Sequence, residues 1–400
     1  MINKIFNNQN LSKIFFYIFI FLLPWQTRLI LFPQKIEYLG FSIYLSEIFL
    51  WLALGFWLLE SYKKIRFNKI FLFFYIFTFI SLMWADNKIS GFRLVLYMFE
   101  GMLIYEYIKN NKKIITSSIY IFLSSLFFAF LLGLSQFINL GSVEFKWLGL
   151  ASRGAWNLGD IVLDDGVGRW LRIYGSLPHP NIFGGYLAVA ILFIGYLIKK
   201  ENKNNFRYFF NYFLAGVFTF GLLLTFSRSA WLAFIVAFLY FIFKNLSNKN
   251  VRKFFFFIII LSSLLVYIFY PLIKSRTTSS LIENRSISER QIFTKEALVL
   301  WKNNPLLGVG IGNYIVALEK QYLYKFEYQY QPVHNIFLLI LTELGIFGFL
   351  LFLLLLRRVY KESHYKPLLI LFIIVGLFDH YLWTLYPGVL LFWVSLSLSE

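Results

Sequence analysis

Leu224-Thr225-Phe226-Ser227-Arg228-Ser229-Ala230-Trp231 places one arginine between two long apolar runs, Phe209–Leu224 before it and Ala230–Phe243 after it. Each run reads as long enough to cross a bilayer, so the stretch reads as two membrane helices joined by a tight turn. A guanidinium at that depth costs about 2.5–3.5 kcal/mol on insertion scales. Two readings account for it. The arginine holds an anion at one membrane face, or it snorkels from the turn toward the headgroups.

Working outward, apolar segments of similar length recur along nearly the whole 400-residue chain. Hydrophobic residues make up 59 %, aromatics 22 % and charged residues only 14 %. Such a composition excludes an ordinary soluble domain. The runs are continuous and do not alternate, which also excludes an outer-membrane barrel. The expected fold is all-α, a polytopic integral membrane protein of about 12 transmembrane helices. They are expected near residues 12–32, 42–60, 69–85, 91–108, 114–138, 180–198, 207–225, 229–244, 253–273, 334–356, 366–379 and 381–398.

A net charge of +18 would suggest nucleic acid in a soluble chain, but here it lies mostly in short loops. Lys63, Lys64 and Arg66, then Lys112 and Lys113, Lys199 and Lys203, Lys249 and Arg252, and Arg357 and Arg358 gather on one side. The short loops of the other side keep only Arg28, Lys35, Lys88, Arg93 and Arg228. The positive-inside rule then makes both termini cytoplasmic, in the inner (cytoplasmic) membrane. The first apolar stretch, Ile14–Leu23, lacks a small-residue cleavage pattern and reads as a retained helix. No cysteine occurs, so disulfides, thiolate metal sites and cysteine nucleophiles are all excluded.

Two long connections, about 139–179 and 274–333, fall on the extracytoplasmic side, and loops of that length are often functional. In the second, Ser288–Asn303 has an amphipathic pattern suited to a membrane surface. The glycine-rich Asn304–Tyr314 stretch follows no strand and has no Walker lysine, so it reads as a structural turn. The organisation expected is an N-terminal set of helices over 1–208, a core over 209–356 and C-terminal helices over 357–400.

Of four histidines, three fall on the extracytoplasmic side: His179 in Leu177-Pro178-His179-Pro180-Asn181, His334 beside Asn335, and His380 beside Asp379. Histidine suits proton transfer near neutral pH, and arginine suits phosphate oxygens. No pair among His179, His334, His380 and Asp379 falls at i,i+3 or i,i+4, so the spacing does not favour a metal site. Ser227 and Ser229 lack the strand-turn-helix elbow of a serine hydrolase. Anchoring at headgroup depth is the alternative use for each histidine, and His179-Pro180-Asn181 also reads simply as a helix start.

Taken in order, Ser227-Arg228-Ser229-Ala230-Trp231, Asn304-Pro305 with Gly308, Gly310 and Gly312, His334-Asn335, and Thr342-Glu343-Leu344-Gly345-Ile346-Phe347-Gly348 resemble the O-antigen ligase and polymerase (Wzy-C) superfamily. The resemblance covers roughly residues 210–355. It implies a metal-independent glycosyltransferase without cofactor that uses an undecaprenyl-pyrophosphate-linked glycan as donor. The ligases pass the glycan to lipid A-core and the polymerases to another lipid-linked repeat. On the matching positions Arg228 would hold the pyrophosphate, Arg290 would be a second phosphate contact and Arg172 a third. His334 would be the base, with Asn335, His179, Asn181 and Ser227 in support. The partners implied are a lipid-linked donor, a glycolipid or other surface acceptor and membrane lipids, and not nucleic acid. A flippase or secondary transporter is the competing class, but the polar residues gather at one face and no internal repeat is evident.

Overall fold

The computed structural model describes residues 8–61, 67–164, 166, 168–200, 206–276, 281–323 and 325–398. Lys63, Lys64, Arg66 and Lys203 lie outside the described residues. The described chain is predominantly helical and carries several apolar helices, as a polytopic membrane protein requires. Among the described residues, five stretches are long and apolar enough to cross a bilayer: Lys112–Ile138, Pro180–Lys200, Phe206–Leu224, Lys249–Ile268 and Ile336–Glu362. Shorter apolar helices cover Lys69–Met83, Pro367–Phe378 and Tyr386–Ser397.

In chain order the first helices are α1 (Asn8–Leu22), α2 (Leu45–Ser61), α3 (Lys69–Ile80), α4 (Lys88–Asn110) and α5 (Ile115–Ile138). Then come α6 (Pro180–Lys200), α7 (Phe206–Leu224), α8 (Arg228–Lys244), α9 (Lys249–Ile268) and α10 (Tyr270–Ser275). The chain continues through α11 (Leu281–Asn303), α12 (Tyr314–Gln321), α13 (Ile336–Glu362), α14 (Pro367–Phe378), α15 (Tyr381–Thr384) and α16 (Tyr386–Ser397).

Helix α6 is the axis of the bundle, buried along most of its length and packed against α5, α7, α8, α9, α14 and α16. Its small residues allow that crowding. A Cβ added at Gly185 would stand 2.1 Å from the Tyr381 hydroxyl, and one at Gly184 2.8 Å from the Ala230 methyl.

Several boundaries differ from the sequence reading. The first helix ends at Leu22, and residues 28–32 form strand β1 (Arg28–Phe32), paired antiparallel with β2 (Phe41–Tyr44) in the register Arg28↔Tyr44. Pro24 explains the stop, since it lacks the N–H a continuing helix needs. The expected last helix is two, α15 and α16, parted at Leu385 ahead of Pro387. The 139–179 connection folds into two small ribbons, β3 (Gly141–Ser142) with β4 (Arg153–Gly154) and β5 (Val162–Asp164) with β6 (Arg169–Leu171). In the 274–333 connection the amphipathic helix extends back to Leu281 as α11 and lies against α13.

The glycine-rich turn has a structural task. Helix α13 is broken at Gly345, at φ 63° and ψ −170°. The 305–310 loop docks into the break: Val309 N donates to the Thr342 carbonyl (3.0 Å), Gly310 N to that of Glu343 (2.8 Å), and Ile346 N to that of Pro305 (3.0 Å). Backbone groups freed by the kink are thereby satisfied. The buried Glu343 carboxylate ties this junction to α15 by accepting from Trp383 Nε1 at 2.8 Å.

Candidate active site

Residue 228 is the first of α8, and the turn before it is tightly built. Ser227 caps the helix, its Oγ accepting from Ala230 N (3.4 Å), and Phe226 takes a positive φ of 45°. This turn exposes the Arg228 side chain at the mouth of a cleft while burying Ser227. The Thr225 carbonyl accepts from Arg172 Nε at 2.6 Å, fastening the end of β6 to the same turn.

From Arg172 a chain of contacts runs across the fold. Its Nη2 donates to Asn181 Oδ1 (2.8 Å), and Asn181 Nδ2 donates to Asp379 Oδ2 (3.0 Å). Asp379 Oδ1 accepts from His380 N (2.8 Å) and faces His334 Nδ1 at 3.9 Å. That last gap is beyond hydrogen-bond reach. His334 Nδ1 is otherwise buried without a hydrogen-bond partner among the described residues. The imidazole packs against Phe293 (6.1 Å between centroids) and His380 (5.1 Å).

The cleft spans about 1310 Å³, part of it open to solvent, and Arg172, Arg228, Arg276, Arg285 and Arg290 line it together with His179, Asn181 and His334. Its two wall carboxylates are already engaged, Glu289 by Arg285 (2.9 Å) and Asp160 by Arg153 (2.8 Å). Arg290 makes no hydrogen bond from its guanidinium and no ion pair among the described residues. Burial lowers the proton affinity of Arg172, Arg276 and Arg290, and mutual repulsion among the guanidinium groups adds to it. An anion with several oxygens would relieve that repulsion.

The histidines differ in character. Burial and the nearby Arg172 push His179 below its ordinary value, and its Nδ1 accepts from Asn181 N at 3.0 Å, as a neutral ring does. Burial, with His334 adding to it, pushes His380 down to about 3, and its Nδ1 meets Thr384 Oγ1 at 2.7 Å. Burial alone would raise Asp379, but the adjacent His334, His380 and His179 outweigh it and hold the carboxyl well below the usual range. An ionised Asp379 beside His334 is the arrangement that steadies an imidazole as it takes up a proton.

Of the residues singled out in the sequence, Arg228, Arg290, Arg172, His334, His179 and Asn181 meet in this one cleft. Ser227 and Asn335 do not line it. Both are helix caps, with Asn335 Oδ1 accepting from Leu338 N (3.0 Å) at the start of α13. Sequence reasoning missed Arg276 as a lining residue of the cleft and Asp379 as the neighbour of His334. Asp379 caps the C-terminal end of α14, and no local pattern tells that it reaches Asn181. His334, Asp379 and His380 also bring donor atoms within 4.8 Å of one another, close enough to surround a metal ion. Spacing could not show this grouping, because the ligands come from different elements.

Residues 212–353 match the family model for O-antigen ligase, Wzy_C. That match, over 212–353, supports membership of the O-antigen ligase/polymerase family. No curated protein matches the chain. The Wzy_C segment supplies Arg228, Arg276, Arg290 and His334, whereas Arg172, His179, Asn181 and Asp379 come from either side of it.

Proposed function

We propose that this protein is a membrane glycosyltransferase that moves a glycan from an undecaprenyl-pyrophosphate carrier to a surface acceptor, as an O-antigen ligase does. The observation that carries this reading is the arginine cleft with His334 at its edge and Asp379 behind the imidazole. Arg228, Arg290, Arg172 and Arg276 hold the donor pyrophosphate. The acceptor hydroxyl oxygen attacks the anomeric carbon and gives its proton to His334. The bond from that carbon to the pyrophosphate oxygen breaks, and the electron pair leaves with the lipid carrier. Fixed guanidinium groups stabilise the charge that develops there. No cofactor or metal enters this scheme. Twelve crossings, cytoplasmic termini and an extracytoplasmic cleft fit the alternation of basic loops.

The test is the glycan composition of a strain lacking the gene, complemented in turn by wild type, Arg228→Ala, His334→Ala and Asp379→Asn. If the protein is a ligase, its loss leaves full-length polymer on the lipid carrier and none on the final acceptor. Arg228→Ala and His334→Ala abolish the rescue at normal protein levels, and Asp379→Asn lowers transfer by about 10²–10⁴-fold. Single repeats on the carrier would make the protein a polymerase. Unchanged lipid-linked and surface fractions would overturn glycan transfer altogether.

A further inference from the structure

Arg28, Arg93 and Arg228, read from the sequence as loop residues, stand instead in β1, in α4 and at the start of α8, and they have more than one use. Arg228 lies in the cleft just described, whereas Arg28 and Arg93 meet elsewhere. His334 also lines a second cavity, of about 1130 Å³, together with Arg28, Tyr38 and Tyr44. Those last three residues in turn help to line a third, of about 770 Å³, where Arg93 joins them. The three spaces thus share walls in sequence, with the arginine cleft at one end and the Arg28–Arg93 cavity at the other.

The far cavity sets two arginines against an aromatic wall. Arg93 is clamped by backbone: Nη1 donates to the Gly40 carbonyl, and Nη2 donates to the Tyr38 carbonyl at 2.7 Å. A guanidinium carries five N–H groups, so these bonds fix its position and leave donors unused. One of them, Nε, is buried with no partner, and Arg93 makes no ion pair among the described residues. Arg28 lies over the Tyr44 ring at 5.8 Å and donates to its hydroxyl at 3.1 Å. Tyr44 stacks on Tyr386 at 4.4 Å and 11°, and Tyr97 meets Tyr386 edge-on at 5.0 Å, which makes a rigid aromatic wall. Preorganised guanidinium groups grip carboxylate or phosphate oxygens.

We propose that this cavity is a specificity site for an anionic group, carboxylate or phosphoryl, on the acceptor glycan, read by Arg93 and Arg28 while the reacting hydroxyl lies at His334. The inference rests on the glycosyl-transfer reading and names the acceptor's chemical class. It also assigns a recognition role to residues outside the family-matched segment 212–353.

The experiment uses the purified full-length protein in nanodiscs and a trisaccharide whose terminal glucose is replaced in turn by glucuronic acid and by glucose 6-phosphate. At least one acidic form is expected to bind about tenfold more tightly than the neutral one, and the stronger of the two says whether carboxylate or phosphate is read. Arg93→Gln and Arg28→Gln should each bring the ratio close to one and leave affinity for the neutral sugar unchanged. Should Arg93→Gln fail to fold because its carbonyl bonds are lost, Arg28→Gln decides the matter. Equal affinity for all three sugars in the wild type, or an acidic preference that survives Arg28→Gln, overturns the proposal. Undecaprenyl pyrophosphate binding is measured on the same samples. Its absence in the wild type counts against the transferase reading, whereas its presence without acidic preference counts against this inference alone.

Discussion

At the scale of single residues, burial decides what each histidine can do. His380 is 4 % exposed and held neutral down to about pH 3, whereas an unfolded histidine titrates near its ordinary value. Between those values the unfolded chain binds more protons, so stability rises with pH and is lost on acidification through that window. The expected loss at pH 5 is on the order of 2 kcal/mol from this one residue. Melting curves recorded from pH 7 down to pH 5 should show the midpoint falling, and His380→Gln should reduce the dependence, His179 supplying part of the rest. A slope unchanged in the variant would assign the acid sensitivity elsewhere.

At the scale of elements, the break in α13 and the loop that fills it form one unit. Gly345 and Gly308 both adopt positive φ, and a Cβ on either would stand 2.2–2.4 Å from backbone atoms of the other segment. Neither position has a flexible side chain to push aside. Gly345→Ala is expected to cost about 3–5 kcal/mol through strain and lost loop docking. Gly55→Ala, in α2 where nothing lies within 4 Å, should instead be neutral or stabilise by up to about 1 kcal/mol. Thermal melts of the two variants side by side separate a special backbone site from a general intolerance of alanine. The glycine motif was legible in the sequence as a turn, but its partner was not. The bonds from Val309 and Gly310 reach residues more than thirty positions on, and no local pattern encodes such a distance.

At the scale of the whole molecule, the cleft draws arginines from the 139–179 ribbons, the α7–α8 turn, the end of α10 and α11. Their mutual repulsion is a cost of the fold that a bound anion offsets. Inorganic pyrophosphate should therefore raise the melting midpoint, by about 2.7 kcal/mol of stabilisation at a hundred times its Kd. The shift should shrink in Arg290→Ala and fade as salt screens the charges. A midpoint indifferent to pyrophosphate would mean that the cleft does not bind it.

Apolar length and the scarcity of charge determined, from sequence alone, that this chain is a helical membrane protein, because a bilayer demands both along each crossing. The isolated Arg228 and the scarce histidines likewise stood out as chemistry, since a polar group is costly where they lie. The helix ends at Leu22 and Leu385, the union of Arg172, Asn181, Asp379 and His334, and the Arg28–Arg93 cavity were decided only by tertiary structure. The reason is physical: such contacts join elements up to about two hundred residues apart, and what brings them together is the burial of α6 at the centre of the bundle.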